Sequence, residues 1–313
     1  MKAVEYDRYG SAEVLRLRDV PRPSAGRGEV LVRVRAAALN PKDVLVRSGK
    51  FRLLSGRRFP KRVGFDWAGE VVEAGSDVKS AAPGARWYGM LDGWQGGACA
   101  EYLAARVAES APMPTALDFE QAAALPLVGS TALQALRDVA GLAPGMRVLV
   151  HGGSGGVGSM AIQIAHLLGG HVTATASGEG LELCRRLGAA AVVDHGAQDA
   201  LASPEPFDVV FDVFGNLRFR DARRALTRRG VYVSTVPRRE VLLATLLTRF
   251  STQRCRLVAV RPRASDLAVL TGWVEAGELV PVVREVFPLD RIVEAEAAAA
   301  TKHTRGKIIV RIG

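Results

Sequence analysis

The stretch HGGSGGVGSMAIQIA, residues 151–165, restricts the fold more than any other part of the chain. It follows the short apolar run RVLVH (147–151) and sets Gly153, Gly155 and Gly158 in the spacing G-x-G-x-x-G, with Ser154, Gly156 and Val157 between them. In a strand–turn–helix setting the first glycine permits the tight turn and the second lets backbone N–H groups approach a pyrophosphate. The third allows the helix to pack closely on the strand. Val157, Met160, Ala161, Ile164, Ala165 and Leu168 then fall on one face at helical spacing. The turn therefore opens a helix whose N-terminus offers free N–H donors to an anion.

The alternation continues downstream. HVTATA (171–176) reads as a strand, LELCRRLG (181–188) as a helix closing at Gly188, and AAVVD (190–194), FDVVFDV (207–213) and GVYVST (230–235) as further strands. Strand and helix in turn predict right-handed crossovers and a doubly wound parallel sheet. The first 110 residues differ: EVLVRVRAAAL (29–39) and WAGEVVEAG (67–75) are separated by glycine-rich turns, the punctuation of a β-barrel. ELVPVVREVFPL (278–289) predicts one or two more strands, EAEAAAA (294–300) a helix and GKIIVRIG (306–313) a last strand. The expected organisation is an α/β chain with a dinucleotide-binding domain over 116–261, inserted into a β-rich domain formed by 1–115 and 262–313.

At 313 residues the chain can bury two cores. MKAVEYDRYG carries charges where a signal peptide needs an apolar core, and the run around VLLATLLTRF is too short to span a bilayer. Cys99, Cys184 and Cys255 lie far apart and form neither a disulfide framework nor a zinc knuckle. A cytoplasmic protein with no membrane role is expected. The net charge of +10 points to nucleic acid, an anionic surface or an acidic substrate, or to a basic surface with no partner. No aromatic-plus-basic stripe marks a single-strand binder, so nucleic acid is not expected. The densest cluster, RSGKFRLLSGRRFPKR (47–62), holds seven basic residues and no acid, and reads as a loop.

Cofactor choice turns on the end of the strand after the glycine turn. An NAD site places Asp or Glu there; here the strand ends in Thr175, Ala176 and Ser177. Ser177 can donate to a 2′-phosphate, and His195 is either a second donor or an ordinary surface histidine. Glu179 opposes a phosphate if it points inward. NADPH is the expected cofactor.

Nearly the whole chain resembles the medium-chain dehydrogenase/reductase superfamily, in its zinc-free NADPH:quinone oxidoreductase (zeta-crystallin-like) branch. The resemblance rests on ALNPKD (38–43), GFDWAGEVVEAGSDV (64–78), GGACAEYL (96–103), AAALPLVGSTALQAL (122–136), the glycine turn, FDVVFDVFG (207–215) and HTRGKIIV (303–310). It implies a GroES-like β-barrel domain, a Rossmann domain, and NADPH in the cleft between them. Zinc-dependent relatives carry ligands where this chain has Leu39–Asn40, Phe65–Asp66 and Pro126–Ser130, none of them a cysteine or histidine, so no metal is expected.

What the resemblance leaves is hydride transfer to a quinone or an α,β-unsaturated carbonyl, whose developing charge is delocalised over the acceptor itself. It implies that Asn40 borders the active site, donating to the substrate carbonyl or the cofactor; its other reading is a cap before Pro41. Thr131, Val213, Thr235 and Val236 fall in segments that in relatives line the nicotinamide and ribose pocket, and Tyr88, Trp94 and His303 are either cleft residues or packing. Asp66 is expected to brace its loop. Relatives carry a tyrosine where this chain has Leu45, so the proton donor is open. Segment 47–62 would ring the cleft mouth and favour an anionic substrate. An enoyl-thioester reductase is the alternative enzyme, and an NADPH-binding sensor or interaction protein the alternative of another class. Relatives pair as homodimers through an edge strand, here near VYVSTVPRREVLLATLL (231–247).

Overall fold

A computed structural model describes residues 1–301 and 305–313. They form two units, Met1–Ser130 with Arg261–Gly313, and Thr131–Val260. In chain order the first unit begins with β1 (Lys2–Tyr6), β2 (Arg16–Asp19), β3 (Glu29–Leu39), α1 (Pro41–Arg47), α2 (Arg52–Ser55) and β4 (Lys61–Arg62). It continues with β5 (Asp66–Ala74), β6 (Arg86–Met90), β7 (Tyr102–Arg106), β8 (Ser110–Pro112), α3 (Phe119–Ala123) and α4 (Pro126–Leu133).

β3 is the spine of this unit, pairing antiparallel with β5 and β7. Val30, Val32 and Val34 face a core that includes Val4, Tyr6, Trp67 and Trp87. The β3–β5 pair requires a glycine: a Cβ at Gly69 would lie 2.2 Å from the Arg33 carbonyl oxygen.

The second unit holds β9 (Arg147–His151), α5 (Gly156–Leu167), β10 (His171–Ala176), α6 (Gly180–Arg186), β11 (Ala191–Asp194) and β12 (Phe207–Asp212), then α7 (Phe219–Ala222), β13 (Leu226–Ser234), α8 (Arg239–Leu247) and β14 (Arg254–Leu257). Its six strands run parallel in the order β11-β10-β9-β12-β13-β14. The order reverses between β9 and β12, the crevice where open parallel sheets bind ligands at the strands' carboxyl ends. The chain then returns to the first unit through α9 (Ala264–Glu275), β15 (Val283–Pro288), α10 (Ile292–Ala300) and β16 (Lys307–Arg311), which pairs with β3. No helix among the described residues is long and apolar enough to cross a membrane.

Two expectations are corrected. The first boundary falls after Ser130, not at 115/116, because the intervening segment is bonded to the first unit. Arg86 donates to the Leu117 carbonyl, Leu127 N–H to Asp66, and Arg311 pairs with Glu120. The basic segment 47–62 is not all loop: it holds the end of α1, α2 and β4, and three of its cations have partners within the protein. Arg47 pairs with buried Glu296, Lys61 donates to the Ser55 carbonyl at 2.6 Å, and Arg62 pairs with Glu5. Lys50, Arg52, Arg57 and Arg58 stay exposed.

Candidate active site

In the second unit, the glycine turn separates packing from ligand space. A Cβ at Gly153 would lie within 3.0 Å of Ala174, Cys184 and Ile162, and one at Gly158 would lie 2.0 Å from the Gly152 carbonyl oxygen. Both are glycine because the chain leaves no room. Gly155 differs. Its φ is −73°, and a Cβ there would meet only the Gly152 carbonyl oxygen, at an ordinary 3.7 Å. Nothing in the protein demands glycine at this N-cap of α5. The space above it, at a helix N-terminus, fits the pyrophosphate of a dinucleotide.

The strand ends place the other candidates around this turn. Gly153 N–H donates to the Thr175 carbonyl and Gly152 N–H to Thr175 Oγ1, closing the turn onto β10. Ser177 is exposed at the end of β10, and His195 N–H donates to the Ala176 carbonyl. Val213 N–H donates to the His151 carbonyl, and Thr235 Oγ1 donates to the Val213 carbonyl at 2.8 Å, joining the ends of β9, β12 and β13. Val236 follows at the same rim, its N–H donating to Ser234 Oγ. Buried Asp212 holds the rim by accepting from Gly215 N–H, Leu217 N–H and the Tyr232 hydroxyl. A cavity of about 410 Å³ beside it is lined by Leu149, His151, Thr175, His195, Gln198 and Leu217. Burial pushes the His151 imidazole below its usual value, so the ring facing the cavity is neutral at pH 7. Thr131 is buried in α4. His303 lies outside the described residues.

The first unit contributes a buried polar cluster. Asp66, at the start of β5, accepts from Leu127 N–H through Oδ1 (2.9 Å), and from Asn40 Nδ2 (3.0 Å) and Lys307 Nζ (3.2 Å) through Oδ2. Lys307, at the start of β16, also donates to Asn40 Oδ1 and to the Leu39 carbonyl. Asp43 on α1 accepts from Asn40 N–H and, at 2.8 Å, from Gly64 N–H. Asn40, Asp43, Asp66 and Lys307 are all buried. Burial raises the Asp66 and Asp43 carboxyls, and the Lys307 ammonium opposes that rise.

These bonds correct the direct role expected of Asn40. An ammonium only donates, so the amide atom facing Lys307 is the oxygen. Nδ2 then points at the Ala38 carbonyl and Asp66, leaving no hydrogen for a substrate carbonyl. Asn40 also occupies the N-cap of α1, in a capping box with Asp43. The bracing role expected of Asp66 is what the structure displays. Tyr88 is fully buried, its hydroxyl donating to the Leu267 carbonyl, which makes it a packing residue.

Beside the cluster, Lys42 rests its ammonium 3.9 Å from the Phe65 ring centroid and 5.3 Å from that of Trp94, with the Phe51 ring tilted against Trp94 at 4.9 Å. Sequence reasoning passed over Lys42, Asp43 and Lys307. Each lay inside a quoted motif, but a charge in a core is recognised only once its burial is known.

Residues 26–115 match the alcohol dehydrogenase GroES-like domain family, and residues 187–310 the zinc-binding dehydrogenase family. The chloroplastic quinone-oxidoreductase of Triphysaria versicolor is 34% identical over 99% of this chain and 98% of its own. The chloroplastic NADPH-dependent alkenal/one oxidoreductase of Arabidopsis thaliana is 36% identical over 99% of this chain and 79% of its own. The solved quinone oxidoreductase from Coxiella burnetii superposes with a TM-score of 0.91 at 32% identity, covering 100% of this chain and 99% of its own. The chain belongs to the medium-chain dehydrogenase/reductase superfamily and, within it, to the quinone oxidoreductase family.

Proposed function

We propose that the protein is an NADPH-dependent oxidoreductase that reduces quinones or α,β-unsaturated carbonyls without a metal. The Asn40–Asp66–Lys307 cluster carries this reading. Where zinc-dependent relatives hold ligands, both Asp66 oxygens are committed to internal donors, and an ammonium already sits in the cluster. A donor set with a buried cation, an amide and a phenyl ring does not suit zinc, which takes thiolate, imidazole or free carboxylate. Without a Lewis acid, the acceptor must spread its own negative charge, as quinones and enones do.

The cofactor is held by Gly153, Ser154, Gly155, Gly156, Val157 and Gly158 at the phosphates. Ser177 and His195 meet the adenosine end, and Thr131, Val213, Thr235 and Val236 the nicotinamide end. NADPH supplies the hydride when bound. The missing carboxylate at Ser177 and the name of the Arabidopsis relative support NADPH over NADH. An enoyl-thioester substrate is the second reading, favoured by the exposed cations Lys50, Arg52, Arg57 and Arg58. Three free, buried cysteines suit a reducing compartment and support a cytoplasmic location.

A homodimer belongs to the same proposal. Leu242, Leu243, Leu246, Leu247 and Phe250 are exposed beside the edge strand β14, a clustering of apolar side chains that supports an interface there. Sedimentation of Leu246→Asp against wild type checks it: dimer becomes monomer, and an already monomeric wild type refutes it.

NADPH oxidation with naphthoquinone, a simple enone, an enoyl-CoA and an aldehyde, with NADH and EDTA controls, tests the function. EDTA-resistant turnover of a quinone or enone is expected. Turnover of the aldehyde alone, abolished by EDTA, would refute it.

A further inference from the structure

We propose that Lys42 is a catalytic residue of this reaction: its ammonium meets the substrate's carbonyl oxygen and gives it the proton. The inference rests on the reductase reading above and supplies the acid that reading lacks.

Three features single out Lys42 from the other cations. Its Nζ lies over the Phe65 ring and near that of Trp94, so its stem is held while its N–H groups meet no oxygen acceptor among the described residues. Among the described residues it makes no hydrogen bond and no ion pair. Lys61 and Lys307, which are buried, spend their protons on carbonyl, amide and carboxylate oxygens of the protein. Finally, Lys42 is partly exposed, whereas Phe65 beneath it is buried, so a ligand can approach the ammonium from the open side.

The neighbouring carboxylates do not compete for its proton. Asp43 is occupied by Asn40 and Gly64 N–H groups, and Asp66 by Leu127, Asn40 and Lys307. Asp92 is exposed. Burial lowers the Lys42 pKa, while Asp43, Asp66 and Asp92 raise it, and burial is the larger effect. The net result is a stronger acid than ordinary lysine, better matched to an enolate or hydroquinone oxygen near neutral pH. Leu45, one turn along the same helix, has no proton to give.

The step balances. Hydride adds to the β-carbon of the enone, and the carbon–carbon π pair shifts to place negative charge on the carbonyl oxygen. An N–H bond of Lys42 breaks as the O–H bond forms, and the resulting enol passes to the saturated ketone in water by gaining a proton at the α-carbon and losing the O–H proton. The neutral amine left behind takes a proton from water. For a quinone the same transfer converts the hydroquinone monoanion to hydroquinone. The acceptor is reduced by two electrons, and NADPH leaves oxidised.

The test compares wild type with Lys42→Met, which keeps the stem over Phe65, and Lys42→Arg, which keeps the charge but holds its proton. In Lys42→Met, kcat for naphthoquinone falls by about 100-fold or more, NADPH binding by fluorescence is unchanged, and the basic limb of the wild-type pH profile disappears. Lys42→Arg retains tight substrate binding but not kcat. Independently of turnover, the emission of Trp94 (assigned by its loss in Trp94→Phe) titrates with pH in wild type below the ordinary lysine range, and not in Lys42→Met. A folded Lys42→Met with near-wild-type kcat and an unaltered pH profile overturns the inference while leaving the reductase reading intact. A wild type that oxidises NADPH with no quinone or enone overturns the reading itself, and the inference with it.

Discussion

The Lys307 ammonium and the Asn40 side-chain oxygen are hydrogen-bonded in the core of the first unit, joining residues 267 positions apart in sequence. This contact fixes the orientation of the amide, and through Asp66 it ties the last strand to the Leu127 backbone. Lys307→Met leaves Asp66 as a buried carboxylate without its cation. Breaking a buried pair in this way costs about 3–5 kcal/mol, so the urea midpoint falls sharply at neutral pH. A variant as stable as wild type would show that the pair contributes nothing.

The glycine turn divides into residues demanded by the chain and one, Gly155, where the chain leaves room for a side chain. Gly158→Ala forces a Cβ against the Gly152 carbonyl and lowers the melting temperature. Gly155→Ala changes stability by less than about 1 kcal/mol, yet weakens NADPH binding by about 10-fold or more by filling the phosphate space. Titration calorimetry beside thermal unfolding separates the two. Equal losses of stability in both variants would refute the distinction.

The proposed contact of Ser177 with the 2′-phosphate makes cofactor preference depend on this side chain. Ser177→Asp introduces a carboxylate that repels a 2′-phosphate and accepts from a 2′-hydroxyl. The ratio of kcat/KM for NADPH over NADH is expected to fall at least about 10-fold, a differential of about 1.4 kcal/mol. An unchanged ratio would place 2′-phosphate recognition elsewhere, for example at His195.

Glu296, buried on α10, carries a pH signature. Burial raises its carboxyl to about 7 against the opposing Arg47 guanidinium. The folded state therefore binds more protons than the unfolded state between the ordinary carboxylate range and about pH 7, and stability from this group is lost as pH rises through that window. Neutral His151, with its lowered pKa, acts in the opposite sense, so the comparison must isolate Glu296. Relative to wild type, Glu296→Gln is expected to gain stability as pH rises from about 5 to about 7. Guanidinium titrations at both pH values measure the difference. A pH-independent difference would contradict it.

The exposed cations of segment 47–62 test substrate charge. Lys50, Arg52, Arg57 and Arg58 changed together to Ala should lower kcat/KM for an enoyl-CoA at low salt and leave a neutral naphthoquinone unaffected. No change for either substrate would assign these residues to the solvated surface.

Much of this architecture was legible in the chain. RVLVH and HVTATA formed strands over the very residues read from them, because parallel strands buried on both faces are written as unbroken apolar runs. Boundaries were less legible: nothing local in residues 116–130 reveals the bonds Arg86 and Asp66 make to them. Segment 278–289 yielded one strand, β15, beginning after Pro281. At the candidate site, the glycine motif announced itself by spacing. The ammonium groups of Lys42 and Lys307 did not, because a lysine in sequence reads as surface until the fold shows what surrounds it.

The proposed metal-free hydride transfer from NADPH to a conjugated acceptor is recorded in where the hydride lands. The most direct measurement uses NADPH deuterated at C4 of the nicotinamide, EDTA-treated protein and a simple enone, followed by mass analysis of the product. The account predicts a saturated ketone carrying one deuterium at its β-carbon, formed at the rate seen without EDTA. An unlabelled product, an allylic alcohol labelled at the carbonyl carbon, or loss of turnover on metal removal would contradict it.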